Sequence, residues 1–140
     1  MLKITVVAMV ICAFIGLGIC FAQQTDDEKA AVEAAKTWLK LVDEGKYIES
    51  YNEAAEYFKN AITKEQWEQS LKAARTPLGK SLTRTVKSAK FMTSLPGAPD
   101  GKYVVIQFET SFENKKSATE TITPMLDKDG KWRVSGYIIK

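Results

Sequence analysis

Tyr103-Val104-Val105-Ile106-Gln107-Phe108-Glu109-Thr110-Ser111-Phe112 decides the fold of this chain. Val104, Ile106, Phe108 and Phe112 fall on one side of an extended backbone, and Gln107 and Glu109 on the other, because successive side chains of a strand point to opposite faces. A strand with one apolar face needs partners and a cover. The flanks supply both. Downstream, Asn114-Lys115-Lys116 turns the chain into a strand from about Ala118 to Leu126, with Ile122 and Leu126 inward and the threonines outward. Pro124 cannot donate to a ladder, so it marks an edge or a bulge. Asp127-Lys128-Asp129-Gly130 reads as a hairpin turn, and Trp132, Val134, Gly136 and Ile138 form the inward face of a last strand. Upstream, Leu82 to Met92 is a long, weakly patterned strand, closed by the proline–glycine turn Leu95 to Gly101.

Before residue 76 the period is helical. Thr25 with Glu28 three positions on predicts a capped start. Ala31, Ala34, Ala35, Trp38, Leu41 and Val42 then form an apolar stripe that stops at Gly45. Ile48, Tyr51, Ala55, Phe58 and Ile62 share one face of a second helix. Thr63 and Gln66 cap a third, with Trp67, Leu71 and Ala74 as its stripe, ended by Thr76-Pro77. Helices first and an antiparallel meander afterwards predict an α+β fold: N-terminal helices packed on a curved four-stranded antiparallel sheet, a cone with an apolar interior.

The first 22 residues are read separately. Lys3, an apolar run from Ile4 to Ala22 and small residues at its end have the pattern of a signal peptide cleaved after Ala22. This leaves 23–140 as one domain, destined for the periplasm or the exterior. Two alternatives stand beside it: retention of the run as a membrane tether, and lipidation at Cys20, which Ile19 before it disfavours. The domain meets a membrane only if the leader is retained.

Composition removes whole classes of chemistry. The 140-residue chain has no histidine, and its two cysteines, Cys12 and Cys20, both lie in the leader. That excludes histidine acid–base catalysis, a cysteine nucleophile and a disulfide in the mature domain. Hydrophobic residues at 45% and charged residues at 26% rule out wholesale disorder. Residues 23–76 hold 8 basic and 11 acidic side chains, residues 77–140 hold 11 and 6. With three arginines and no dense basic cluster, nucleic acid is not an expected partner. No acidic cluster has calcium-loop spacing, so no metal or other cofactor is expected.

An ordered string of residues then narrows the field: Trp38-Leu39, Val42 to Tyr47, Ser50-Tyr51, Ala54-Ala55, Phe58, Trp67, Arg75-Thr76-Pro77-Leu78-Gly79, Arg84, Leu95 to Tyr103, and Asp129 to Val134. It resembles the bacterial exported family called domain of unknown function 4019 over nearly the whole mature chain, with Tyr51 where the pattern favours tryptophan. The resemblance implies export and a small cystatin-like or nuclear-transport-factor-like α+β domain. It implies no reaction.

Candidate sites come from two groups. Trp38, Tyr51, Tyr57, Trp67, Trp132 and Tyr137 could cage an apolar ligand, although their spacing is that of core residues. Arg75, Arg84, Glu109 and Arg133 could clamp a carboxylate or phosphate, although Arg75 can also serve the end of its helix and the others the outer face of the sheet. Tyr51, Trp67, Arg75 and Arg84 are the candidate ligand-binding residues. No catalytic residue is assigned, because the strand patterns put no acid on the inward face. The expected function is a non-enzymatic exported module that binds a small apolar ligand or a protein partner, with a homodimer through the sheet as one form. A cyclase- or isomerase-like enzyme working in the cone is the alternative.

Overall fold

The computed structural model describes residues 24–140, so the leader, its cleavage after Ala22 and Cys20 lie outside the described residues. The elements run α1 (Asp26–Asp43), α2 (Tyr47–Asn52), α3 (Glu56–Ala61), α4 (Lys64–Arg75), a 3-10 turn (Thr76–Leu78), β1 (Ser81–Met92), β2 (Tyr103–Phe112), β3 (Lys115–Leu126) and β4 (Trp132–Ile139). The strands pair antiparallel in the order β1-β2-β3-β4, an open, curled meander. This is the α+β arrangement expected. Among the described residues no helix is long and apolar enough to cross a membrane.

The long helix α1 starts where the Thr25 hydroxyl accepts the Glu28 N–H at 3.2 Å, satisfying one donor of the first turn. Three acidic residues in that turn suit the positive end of the helix dipole. Ala31, Val32, Ala35, Trp38, Leu39 and Val42 are buried against Val104, Ile106, Phe108, Ile122 and Val134 of the sheet. The alanines let the helix axis approach the sheet, and Trp38 packs between them and the sheet core. At the start of α4, Thr63 and Gln66 form both halves of a capping box.

The second expected helix is two. The chain leaves helical geometry after Asn52 and re-enters it at Glu56. Ala54 and Ala55 between them are fully buried. The Ala55 N–H donates to the Val134 carbonyl at 2.8 Å, covering part of the free edge of β4. An unbroken helix would spend that N–H internally, whereas an open strand edge needs a donor.

Irregular pairing curls the sheet. Leu82 and Lys87 are extra residues in β1, and Ser135 is an extra residue in β4 opposite the Thr123–Pro124 step. Pro124 therefore sits at a bulge inside the sheet. The Ser135 bulge also corrects the expected face of β4. Val134 is inward, but after the extra residue the alternation changes phase. Tyr137 turns to the core, and Ile138, expected inward, is 59% exposed. Helices occupy one face of the sheet. On the other, Val105, Gln107 and Glu109 of β2 lie beside Thr119, Thr121 and Thr123 of β3 and Ile138 of β4, all of them at least partly exposed.

Candidate functional site

The sheet register brings four polar side chains to its inner face, one from each strand. Arg84 of β1 stands opposite Thr110 of β2. Glu120 of β3 is opposite Phe108, one step diagonally from Thr110. Tyr137 of β4 is opposite Ile122, one step diagonally from Glu120. Glu120 is completely buried. Its Oε1 accepts from Arg84 Nε at 2.7 Å and from the Thr110 hydroxyl at 2.5 Å, and its Oε2 accepts from the Tyr137 hydroxyl.

The helices add two more charges. Asp43 is the last residue of α1, where a negative charge opposes the helix dipole. Two arginines offset this. Arg84 Nη1 and Nη2 reach Asp43 Oδ2 and Oδ1 at 2.7 and 3.0 Å, a bidentate pair, and Arg75 Nη2 from the end of α4 reaches Oδ1 at 2.8 Å. The Arg75 side chain is 5% exposed, and its guanidinium lies 5.0 Å above the Phe112 ring. Its Nε and Nη1 are buried with no hydrogen-bond partner. The cluster thus holds two carboxylates and two guanidinium groups.

Each charge state follows from this packing. Burial raises the Asp43 carboxyl, but the bonds and charges of Arg84 and Arg75 outweigh it and hold its pKa below the ordinary 3.8. Burial works against the Arg84 cation, yet its bonds to Asp43 and Glu120 leave its pKa raised. Burial, then the charge and the hydrogen bond of Glu120, push the Tyr137 hydroxyl well above its usual range.

The aromatic candidates divide differently. Trp38, Trp67, Phe58 and Tyr137 fill the space between helices and sheet. Phe58 and Trp67 meet edge to face at 4.8 Å, Trp38 and Tyr137 at 5.4 Å, and Trp38 and Trp67 lie 6.0 Å apart. Ser50 organises both indoles: Trp38 Nε1 donates to its carbonyl at 2.8 Å and Trp67 Nε1 to its hydroxyl at 3.0 Å. The Tyr51 hydroxyl bonds the carbonyls of Lys59 and Ile62 at 2.9 Å each, tying down the end of α3. Tyr57 reaches the Gly97 carbonyl at 3.0 Å, and Trp132 packs at the margin of the core.

Of the four candidate ligand-binding residues, the fold brings Arg75 and Arg84 together on Asp43 and places Tyr51 and Trp67 apart from them, in the helix layer. Arg84 faces inward, not to the outer face. Glu109 is on the outer face, accepting from the Ser117 hydroxyl at 2.5 Å. Arg133 pairs with Asp129 and Asp127 at the β3–β4 turn. The expectation that no acid points inward is overturned by Glu120. Its signal was in the sequence: Glu120 is two residues from Ile122 and must share its face. Ser50 carries no such signal, because a serine in a short helix is usually exposed.

The Arg75-Thr76-Pro77-Leu78-Gly79 segment docks on the β2–β3 hairpin. Asn114 Nδ2 donates to the Pro77 carbonyl at 3.1 Å, and the Glu113 carboxylate accepts the Lys80 N–H at 3.0 Å. Gly79 has φ +73°, and a Cβ there would meet Glu113 Cβ at 3.0 Å, so only glycine fits. A cleft of about 330 Å³ opens beside Asp43, Arg75 and Lys80, and one of about 390 Å³ lies between α3 and the far end of the sheet. Glu120 lines neither. Among the described residues, no group of three or more acidic, cysteine or histidine side chains could hold a metal ion.

A comparison with curated proteins finds no match. The family described as "Protein of unknown function (DUF4019)" matches residues 34–137, from the middle of α1 to Tyr137, and the chain belongs to that family.

Proposed function

We propose that this protein is an exported bacterial envelope domain that works as a non-enzymatic interaction module, and that it engages its partner through the uncovered face of the sheet. The observation that carries this reading is the filled interior. Four rings occupy the region where a cone would hold an apolar ligand, so recognition falls to the surface. The uncovered face suits a protein. At its centre Gln107, Thr119, Thr121 and Thr123 are neutral and Ile138 projects, while Glu109, Lys90 opposite Val105 and Arg133 opposite Met125 bring charges of both signs to its margins. Four strands about 4.8 Å apart and about ten residues long give a face of about 600 Å², the size of a small interface beside the standard of about 800 Å² per partner. A second copy of the chain suits such a face, because Glu109 of one copy can lie against Lys90 or Arg133 of the other. Export rests on the composition of residues 1–22.

The enzyme reading would use Glu120 with Tyr137. Both Glu120 oxygens already accept hydrogen bonds from Arg84, Thr110 and Tyr137. That favours a clamp over a general base, which needs reach to a substrate proton.

The test is the mass of the native protein in solution, purified from an expressing cell's envelope, by light scattering across a concentration series. The expected result is a dimer, or a stable complex with another protein, that Ile138→Glu dissociates without unfolding the chain. A lone monomer at every concentration, unchanged by Ile138→Glu, overturns the reading.

A further inference from the structure

The end of the sheet farthest from the buried charges carries a cleft of about 390 Å³ between α3, the Pro99–Gly101 segment and the Met125–Lys128 segment. Its construction differs from the rest of the surface. The helix α3 has no fully buried residue. Its start is moored by the Glu56 N–H, which donates to Asp127 Oδ2 at 3.2 Å, and its exposed flank by the Tyr57 hydroxyl, which donates to the Gly97 carbonyl at 3.0 Å. The Tyr57 ring is therefore fixed over the cleft while more than a third exposed. Met125 and Leu126 add apolar floor. Around this floor stand three carboxylates, Glu56, Asp100 and Asp127, against one cation, Lys128. Asp127 is committed to Arg133 and to the Glu56 N–H. Glu56 and Asp100 make no ion pair among the described residues.

A fixed aromatic ring, an apolar floor and two unengaged carboxylates together match one side-chain chemistry: a planar cation on an apolar stem. We infer that this cleft binds an arginine side chain presented by a partner polypeptide. The guanidinium lies against the Tyr57 ring and pairs with Glu56 and Asp100, while its methylenes cover Met125 and Leu126. A lysine is a weaker occupant because it lacks the planar fork that stacks and pairs at once. The negative surroundings also act on Tyr103 nearby. Burial first, and then Tyr57 and Asp100, raise its hydroxyl. This site adjoins the sheet face proposed above at Met125 but does not rest on that reading.

The experiment is an amide NMR titration of the full domain with acetyl-Leu-Arg-Leu-amide, and with the glutamine counterpart acetyl-Leu-Gln-Leu-amide as control. The arginine peptide is expected to shift Tyr57, Gly101 and Leu126, with affinity that falls as salt is added. Glu56→Gln with Asp100→Asn, both at exposed positions, weakens that binding by about tenfold and leaves the amide spectrum of the free protein folded. Equal binding of the glutamine peptide, shifts confined to other surfaces, no binding at millimolar peptide, or an unchanged affinity in the double variant each overturn the inference.

Discussion

Arg84 Nε donates to Glu120 Oε1 at 2.7 Å while its two terminal nitrogens hold both oxygens of Asp43. One guanidinium on an edge strand thereby joins the last residue of α1 to the middle of the sheet. Apolar contacts between a helix and a sheet can slide, and a bidentate ion pair is directional. The clamp sets where α1 ends relative to β3.

Removing one member of this cluster leaves the others buried and unpaired. Glu120→Gln is expected to lose about 3–5 kcal/mol in urea unfolding, the usual cost of breaking a buried pair. Replacing both partners, Arg84→Met with Glu120→Met, is expected to cost less than Arg84→Met and Glu120→Met added together, although Asp43 then keeps only Arg75 and the Thr110 and Tyr137 hydroxyls lose their acceptor. If the double variant is as unstable as the sum of the singles, the pair is not coupled.

Acid should weaken the protein through Asp43. Its folded pKa lies below the ordinary 3.8, so its stabilising contribution is complete above about pH 4 and disappears as the pH falls through the folded value. Urea midpoints measured from pH 6 down to pH 2 are expected to drop less steeply in Asp43→Asn, which starts from a lower stability.

Alkali should act through Tyr137. Its folded pKa is raised above the ordinary 10.0. Its contribution is complete below that value and is lost as the pH rises beyond it, because the unfolded chain releases the proton first. Tyr137→Phe removes this part of the alkaline loss. At neutral pH it costs about 1–3 kcal/mol, since Glu120 Oε2 loses its donor. Chemical denaturation at pH 7 and pH 11 measures both effects.

Ser50 is the small residue on which two indoles depend. Its hydroxyl donates to the Tyr47 carbonyl at 2.6 Å and accepts from Trp67. Ser50→Ala is expected to cost about 1–3 kcal/mol, because Trp67 Nε1 is left buried without a partner. The Trp38 bond, made to the backbone carbonyl, should survive. Tryptophan fluorescence together with thermal unfolding reports the change.

The legible part of the fold was the part written as period. The strand from Tyr103 to Phe112 has the observed bounds, and α1 and α4 bury Ala31, Ala35, Trp38, Val42, Trp67 and Leu71 as expected, whereas Ala34 and Leu41 are only partly buried, Ala74 is exposed, and Val32, Leu39 and Arg75 are buried in their place. The site was legible only in part. Arg75 and Arg84 stand out in the sequence, whereas nothing in residue order joins Asp43, Thr110 and Tyr137 to them, and Glu120 is legible only through Ile122, which marks its face. Strict alternation points Ile138 inward, and one extra residue, Ser135, inverts it and every side chain after it.

From residue order alone came the helical half, the strand half, their turns and the chemistries ruled out by missing histidine and cysteine. These depend on local periodicity, on the steric limits of glycine and proline, and on counting. Three-dimensional packing decided the break at Ala54-Ala55, the phase of β4 and the partners of the buried charges. Those depend on contacts between residues far apart in the chain: Ala55 with Val134, Arg84 with Glu120, Arg75 with Asp43. A buried carboxylate must find donors wherever the fold brings them, and the distance along the chain carries no record of which ones arrive.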